Sequence, residues 1–212
     1  MQFEDELQQV LPPDLPHRDE LVAKASGHLR RIEETNQHFN LTRILSPREA
    51  AVKHVLDSVL PWRLFAGAGT VLDAGTGAGF PGLPLAVVLP EVHFVLVEST
   101  QKKAAFVEAT ARALELTNVE VLPVRAEDFL KQAHFDVITA RAVAPLSRAA
   151  GLFGPALRKG GRALLYKGPD AEQEIEEAAL EARKRKVRMK VVSRYELPDG
   201  LGTRCVVEMA GA

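Results

Sequence analysis

The sequence predicts an α/β fold: a mostly parallel, seven-stranded sheet with helices on both faces, an antiparallel C-terminal hairpin and an N-terminal helical extension. Three observations carry this reading. From Thr70 onward, short β-rich runs alternate with segments rich in Ala, Leu, Glu and Lys. Two final strand-like runs are joined by Leu197-Pro198-Asp199-Gly200-Leu201-Gly202, a link that suits neighbouring antiparallel strands. Before Ala68, apolar residues recur at helical spacing. The boundary drawn this way puts the extension at 1–68 and the main domain at 69–212.

Each element has its own signal. In the extension, Leu21, Val22, Ala25, Leu29, Ile32 and Phe39 mark one helix. Ser46-Pro47-Arg48-Glu49 opens a second with a capping box and a proline at the first helical position. Val52, Val55, Leu56, Val59 and Leu60 form its apolar face, and Pro61 ends it. Strands are expected at 70–74, 93–98, 119–124, 135–140 and 161–166, with helices at about 82–89, 100–115, 126–132, 145–158 and 170–187. The hairpin pairs Met189–Glu196 with Thr203–Met209.

Composition narrows the function classes. The chain has 212 residues, 46 % hydrophobic, with a formal net charge of -1 and a pI near 6.6. A nucleic-acid site must therefore be a local basic patch. The single Cys205 excludes an internal disulfide framework and a cysteine-rich zinc site, and it suits a reducing cytoplasm. The acidic start Met1-Gln2-Phe3-Glu4-Asp5-Glu6 is no secretory signal, and no apolar run reaches the roughly 18 residues of a membrane span. A soluble cytoplasmic domain is expected.

Gly75, Gly77 and Gly79 follow the strand Val71-Leu72 and precede a helix, which lets backbone approach a ligand closely. Gly77-Ala78-Gly79-Phe80-Pro81-Gly82 matches G-x-G-x-x-G, and Glu98 lies about 20 residues on, where a carboxylate grips ribose hydroxyls. Nicotinamide dinucleotides and S-adenosylmethionine share that arrangement. No Gly-Lys-Ser/Thr follows, so a P-loop is excluded. Asp73 before the turn, placed to take a charged methionine end, favours S-adenosylmethionine, with S-adenosylhomocysteine as product. So do Ala126-Glu127-Asp128 past the third strand and the terminal hairpin. The expected architecture is thus the Rossmann-like S-adenosylmethionine-dependent methyltransferase fold, with a nicotinamide-dependent oxidoreductase or a non-RNA methyltransferase as alternatives.

Absences narrow the methyl acceptor. Pyrimidine C5 chemistry needs a cysteine nucleophile, and Cys205 sits among Val206 and Val207 as a core residue. Exocyclic amines call for an Asn/Asp-Pro-Pro-aromatic turn after the fourth strand, where this chain has Ala140-Arg141-Ala142-Val143-Ala144-Pro145. A ring nitrogen with a free lone pair needs neither device. Basic residues cluster at Arg43, Arg48, Lys53 and His54, at Arg141, Lys159, Arg162 and Lys167, and most densely from Arg183 to Lys190. Each suits phosphate, although the last also suits a solvated helix end. His54 and Asp57, at i, i+3, share a helix face as an intrahelical pair or as catalytic groups. No set of side chains has metal-ligand spacing.

Asn40-Leu41-Thr42, His54-Val55-Leu56-Asp57-Ser58 and Leu72-Asp73-Ala74-Gly75-Thr76-Gly77-Ala78-Gly79-Phe80-Pro81-Gly82-Leu83-Pro84 together resemble the ribosomal small-subunit methyltransferase G family, also called glucose-inhibited division protein B. Glu98-Ser99 with Lys102-Lys103, Ala126-Glu127 and Thr139-Ala140-Arg141-Ala142-Val143-Ala144 continue the similarity from about residue 20 to 168. The resemblance implies methylation of ring nitrogen 7 of one guanine in a decoding-region hairpin of 16S ribosomal RNA. The expected partner is 16S ribosomal RNA or an assembling 30S subunit, and a monomer is expected. It also implies that Gly75, Phe80, Ala126, Glu127 and Arg141 contact the cofactor, to which the physical reading adds Asp73, Gly77 and Glu98. It transfers no catalytic base. Arg43, Lys53, His54, Arg141 and Lys167 are the RNA-binding candidates.

Overall fold

Seven strands form one sheet in the order β3-β2-β1-β4-β5-β7-β6 in the computed structural model, which describes residues 2–44, 46–141 and 144–212. β1 (Thr70–Ala74), β2 (His93–Val97), β3 (Val119–Leu122), β4 (Val137–Arg141) and β5 (Arg162–Lys167) are parallel. β6 (Val187–Leu197) and β7 (Gly202–Gly211) make the antiparallel hairpin, with β7 inserted beside β5. The expected fold class is the one observed. The order reverses between β1 and β4, so a crevice opens outside the carboxyl ends of these two strands, where open α/β sheets bind ligands.

Side-chain alternation explains the two cores. Val71, Phe94, Leu96, Val137 and Leu164 face α1 (Gln2–Val10), α2 (Arg18–Asn36), α5 (Gly82–Val88) and α6 (Gln101–Ala113). Leu72, Val95, Ile138, Ala163 and Leu165 face α8 (Leu146–Leu157) and α9 (Ala171–Arg185) on the other side. α7 (Ala126–Phe129) is a single short helix after β3. Within α2, Leu21, Val22, Ala25, Leu29 and Ile32 supply the buried stripe, and Asp19 and Glu20 in the first turn complement the helix dipole. These upstream helices share one hydrophobic cluster with the sheet. Among the described residues, no helix is long and apolar enough to cross a membrane.

The second upstream helix departs from a uniform α-helix. Ser46 caps α3 (Pro47–Ala50) by accepting from the Glu49 amide at 3.2 Å, whereas the Glu49 carboxylate meets Lys53 instead of reaching back. A π-helical stretch, Ala51–Leu56, then leads into α4 (Asp57–Val59). In that stretch the Asp57 amide donates to Val52 O, five residues back, and passes over Lys53 O. Such wide turns often mark functional sites.

Candidate active site and cofactor turn

The turn after β1 is held from beneath by Asp73. Alternation sends this carboxylate to the α5 side of the sheet, where Oδ2 accepts from Thr76 Oγ1 at 2.7 Å and from the Gly82 amide at 2.9 Å. Burial pushes its pKa up to about 6 against the lowering effect of those two hydrogen bonds. Asp73 is fully buried, and its Oδ1 has no hydrogen-bond partner among the described residues. Oδ2 therefore braces the turn and leaves Oδ1 without a protein partner among the described residues. Gly75, Gly77 and Gly79 all take positive φ, at 75°, 62° and 98°. A Cβ built on Gly77 meets nothing within 4 Å, so open space lies beside that backbone. Glu98 directly follows β2, and its carboxylate accepts from the amides of Gly77 at 3.1 Å and Thr100 at 2.8 Å.

Phe80 lies at the centre of a stack that sequence reasoning did not foresee. His28 of α2 stacks on one side at 4.5 Å and His54 on the other at 4.7 Å between centroids. Arg141 stands 5.3 Å from the same ring. The Phe80 ring is buried. His28 Nε2 donates to Ala78 O at 2.7 Å, which fixes the tautomer and clamps the glycine turn to α2. Desolvation holds the His28 pKa down to about 4. His54 is held down to about 3, by burial first and then by the nearby Arg141 charge. Its Nε2 shares a hydrogen bond with Thr42 Oγ1 at 3.1 Å, and its buried Nδ1 has no partner among the described residues. His28 was detectable in principle, since a histidine between Ala25 and Ile32 at helical spacing breaks an apolar stripe.

A cleft of about 450 Å³ opens at the carboxyl ends of β4 and β5. Lys53, His54, Arg141 and Lys167 line it, so four of the five RNA-binding candidates converge there. Arg43 is exposed and outside its lining, although Ile44 beside it contributes. Lys167 Nζ sits 2.7 Å from Glu174 and donates to Ala144 O. Arg204 of the hairpin also lines the cleft and was missed, because the sequence does not reveal that β7 inserts beside β5. His54 and Asp57 find separate partners: Asp57 turns to Arg141, Arg204 and Tyr195.

Other candidates lie elsewhere. Arg162 begins β5 and Lys159 precedes it, so both sit at the end opposite the cleft. Through β7, Arg162 aligns with Arg188, and Lys167 aligns with Arg194. The dense basic run from Arg183 to Lys190 is thereby displaced from the cleft by about the length of β5, roughly 16 Å at the usual strand rise. Arg48 is occupied by Asp199 and Glu6. Ala126 is half-buried and Glu127 exposed. Glu127 lines a second, larger cavity of about 690 Å³ between α7, α8 and α9. Ala142 and Val143, in the motif after β4, lie outside the described residues. Among the described residues, no group of three His, Cys, Asp or Glu side chains is placed to hold a metal ion.

The residues fit S-adenosylmethionine. The open space at Gly77, the carboxylate of Glu98 beneath it and the orphaned Asp73 Oδ1 suit a ligand carrying ribose hydroxyls and a cationic end. A switch-point sheet with this turn and a terminal antiparallel hairpin defines the S-adenosylmethionine-dependent methyltransferase class. Solved structures agree on the fold. An O-methyltransferase from Bacillus cereus, in complex with S-adenosylhomocysteine, superimposes with a TM-score of 0.59 at 20% identity, covering 87% of this chain and 90% of that one. A SAM-dependent O-methyltransferase from Thermotoga maritima gives 0.58 at 15% identity, covering 86% and 71%.

Sequence comparison resolves the family. The family model described as rRNA small subunit methyltransferase G (GidB) matches residues 21–199. A protein named ribosomal RNA small subunit methyltransferase G in Solibacter usitatus is 68% identical over 209 residues, 99% of this chain and 100% of that protein. Its namesake in Carboxydothermus hydrogenoformans is 38% identical over 186 residues, 85% and 79% of the two chains. The chain belongs to the rRNA small subunit methyltransferase G family. The nicotinamide alternative falls with that finding.

Proposed function

We propose that this protein transfers a methyl group from S-adenosylmethionine to ring nitrogen 7 of one guanine in 16S ribosomal RNA, acting as a monomer in the cytoplasm. The observation that carries the reading is the juxtaposition, at the β1/β4 switch point, of the glycine turn and a cleft lined by Lys53, Arg141, Lys167 and Arg204. Membership of the family supports the RNA substrate.

When bound, S-adenosylmethionine supplies an electrophilic methyl group on a sulfonium centre. Asp73, Gly75, Gly77, Phe80, Glu98, Ala126, Glu127 and Arg141 would hold it, Asp73 and Phe80 by shaping the turn. Ring nitrogen 7 carries a free lone pair and no proton, so no side chain has to act as a base. The work left to this chain is orientation at near-attack distance and exclusion of water. Lys53, His54, Arg141, Lys167 and, nearby, Arg43 meet the RNA. Cys205 is fully buried in β7, which removes the one candidate for covalent ring attack.

The test is radiolabelled methyl transfer to small-subunit RNA from cells lacking this modification, with the product mapped to the nucleotide. Transfer to one guanine supports the reading. No transfer to naked RNA, to 30S particles or to assembly intermediates overturns it, and methylation that survives ribonuclease replaces RNA with another acceptor.

A further inference from the structure

Arg141 is held by two groups of the segment after α3, Lys53 O and the Asp57 carboxylate, and stands beside the Phe80 ring. The π-helical step at Asp57 leaves Lys53 O free of that amide, and Arg141 Nη1 donates to it at 2.8 Å. The same step carries Asp57 inward, where its side chain is only 3% exposed. Asp57 Oδ2 stands 3.5 Å from Arg141 Nη1 and 3.7 Å from Arg204 Nε, while Oδ1 accepts from Tyr195 Oη at 3.0 Å. One carboxylate thus faces two guanidinium groups, one from β4 and one from β7. Burial raises its pKa, and the two arginines oppose that rise.

We propose that Asp57 is a positioning residue for the methyl transfer: it fixes the Arg141 guanidinium between the Phe80 ring and the cleft. The inference rests on the functional reading above. A guanidinium carries five N–H donors in a rigid fork. Among the described residues the Arg141 hydrogen bond runs through Nη1 alone, so Nε and Nη2 remain for an oxygen acceptor of the RNA or cofactor. Asp57 also neutralises repulsion between Arg141 and Arg204, which lets both cations line one cleft. A structural carboxylate and a positioning one differ in a measurable way, because only the latter acts through Arg141.

The experiment is a double-mutant cycle on methyl transfer to small-subunit RNA, with Asp57→Asn, Arg141→Met and the pair. Asp57→Asn keeps the volume and an acceptor for Tyr195 but removes the charge. It is expected to lower kcat/KM by about tenfold, within the range over which residues of one ion-pair network couple. In the Arg141→Met background the same change is expected to cost less than about threefold. Equal losses in both backgrounds overturn the proposal. If Asp57→Asn does not fold, Tyr195→Phe, which removes a hydrogen bond to the same carboxylate, is read in the same cycle with the same criterion. Wild-type protein that transfers no methyl group to RNA signals failure of the functional reading instead. The cycle is then read by calorimetry on S-adenosylhomocysteine binding, where coupling supports the proposal and strict additivity overturns it.

Discussion

His28 Nε2 donates to Ala78 O across 2.7 Å, tying α2 to the tip of a turn 50 residues downstream. Replacing His28 by leucine keeps an apolar body but leaves a buried carbonyl unsatisfied. That omission costs about 1–3 kcal/mol. His28→Leu is expected to lower the denaturation midpoint and to weaken S-adenosylhomocysteine binding together. Unchanged calorimetric affinity means that the turn keeps its shape without α2.

Acid should loosen the same region. His28 and His54 titrate near 4 and 3 in the fold against about 6.5 unfolded, so their contribution is complete above 6.5 and is lost as pH falls through that range. Each pKa unit is worth about 1.4 kcal/mol. Asp73, raised to about 6, works in the opposite sense: its contribution is present below 3.8 and fades as pH rises to 6. Urea midpoints between pH 7 and 4 should therefore fall less steeply for His54→Phe than for wild type, and more steeply for Asp73→Asn. Parallel curves for all three contradict the assignment.

The glycines of the turn should separate by substitution. Gly77→Ala meets no neighbour, so its cost to folding is the left-handed backbone alone, about 1–2 kcal/mol. It and Gly77→Val should weaken cofactor binding far more than they lower stability, because the new side chain enters the open space. Gly82→Ala brings a Cβ to 2.8 Å from Asp73 Oδ2 and Leu96 Cγ, and should show its damage first in thermal unfolding. Calorimetry beside a melting curve on each variant checks both outcomes.

Charge should matter by position rather than density. Arg183→Ala, Lys184→Ala and Lys186→Ala together remove part of the densest basic run, yet they sit at the far end of the sheet. Their combined effect on kcat/KM for RNA should stay within about threefold. Lys53→Ala with Lys167→Ala should instead cost about tenfold or more, and should flatten the salt dependence by about one unit for each phosphate no longer neutralised. A larger loss from the distal triple relocates the RNA path.

Much of this was legible in the residues. The strand–helix rhythm after Thr70 and the Pro-Asp-Gly link are local signals, and every expected strand appeared within a few residues of its place. The turn announced itself because positive φ at Gly75, Gly77 and Gly79 demands glycine. The π-helical step was hidden: Val52, Val55, Leu56 and Val59 satisfy ordinary helical spacing whether or not one hydrogen bond skips a residue. The β6 irregularity between Val191 and Ser193 left no local mark either.

By itself, then, the sequence determined the sheet class, the glycine turn and the carboxylates that flank it, because backbone conformation and side-chain period are written in neighbouring residues. Only the tertiary structure decided which side chains meet. Strand order brought Arg204 and Tyr195 from the hairpin to Asp57, packing of α2 brought His28 to Phe80, and register carried the basic run away from the cleft. Those pairings join residues tens to more than a hundred positions apart, and the burial and charge that give them meaning exist only once the chain has closed around them.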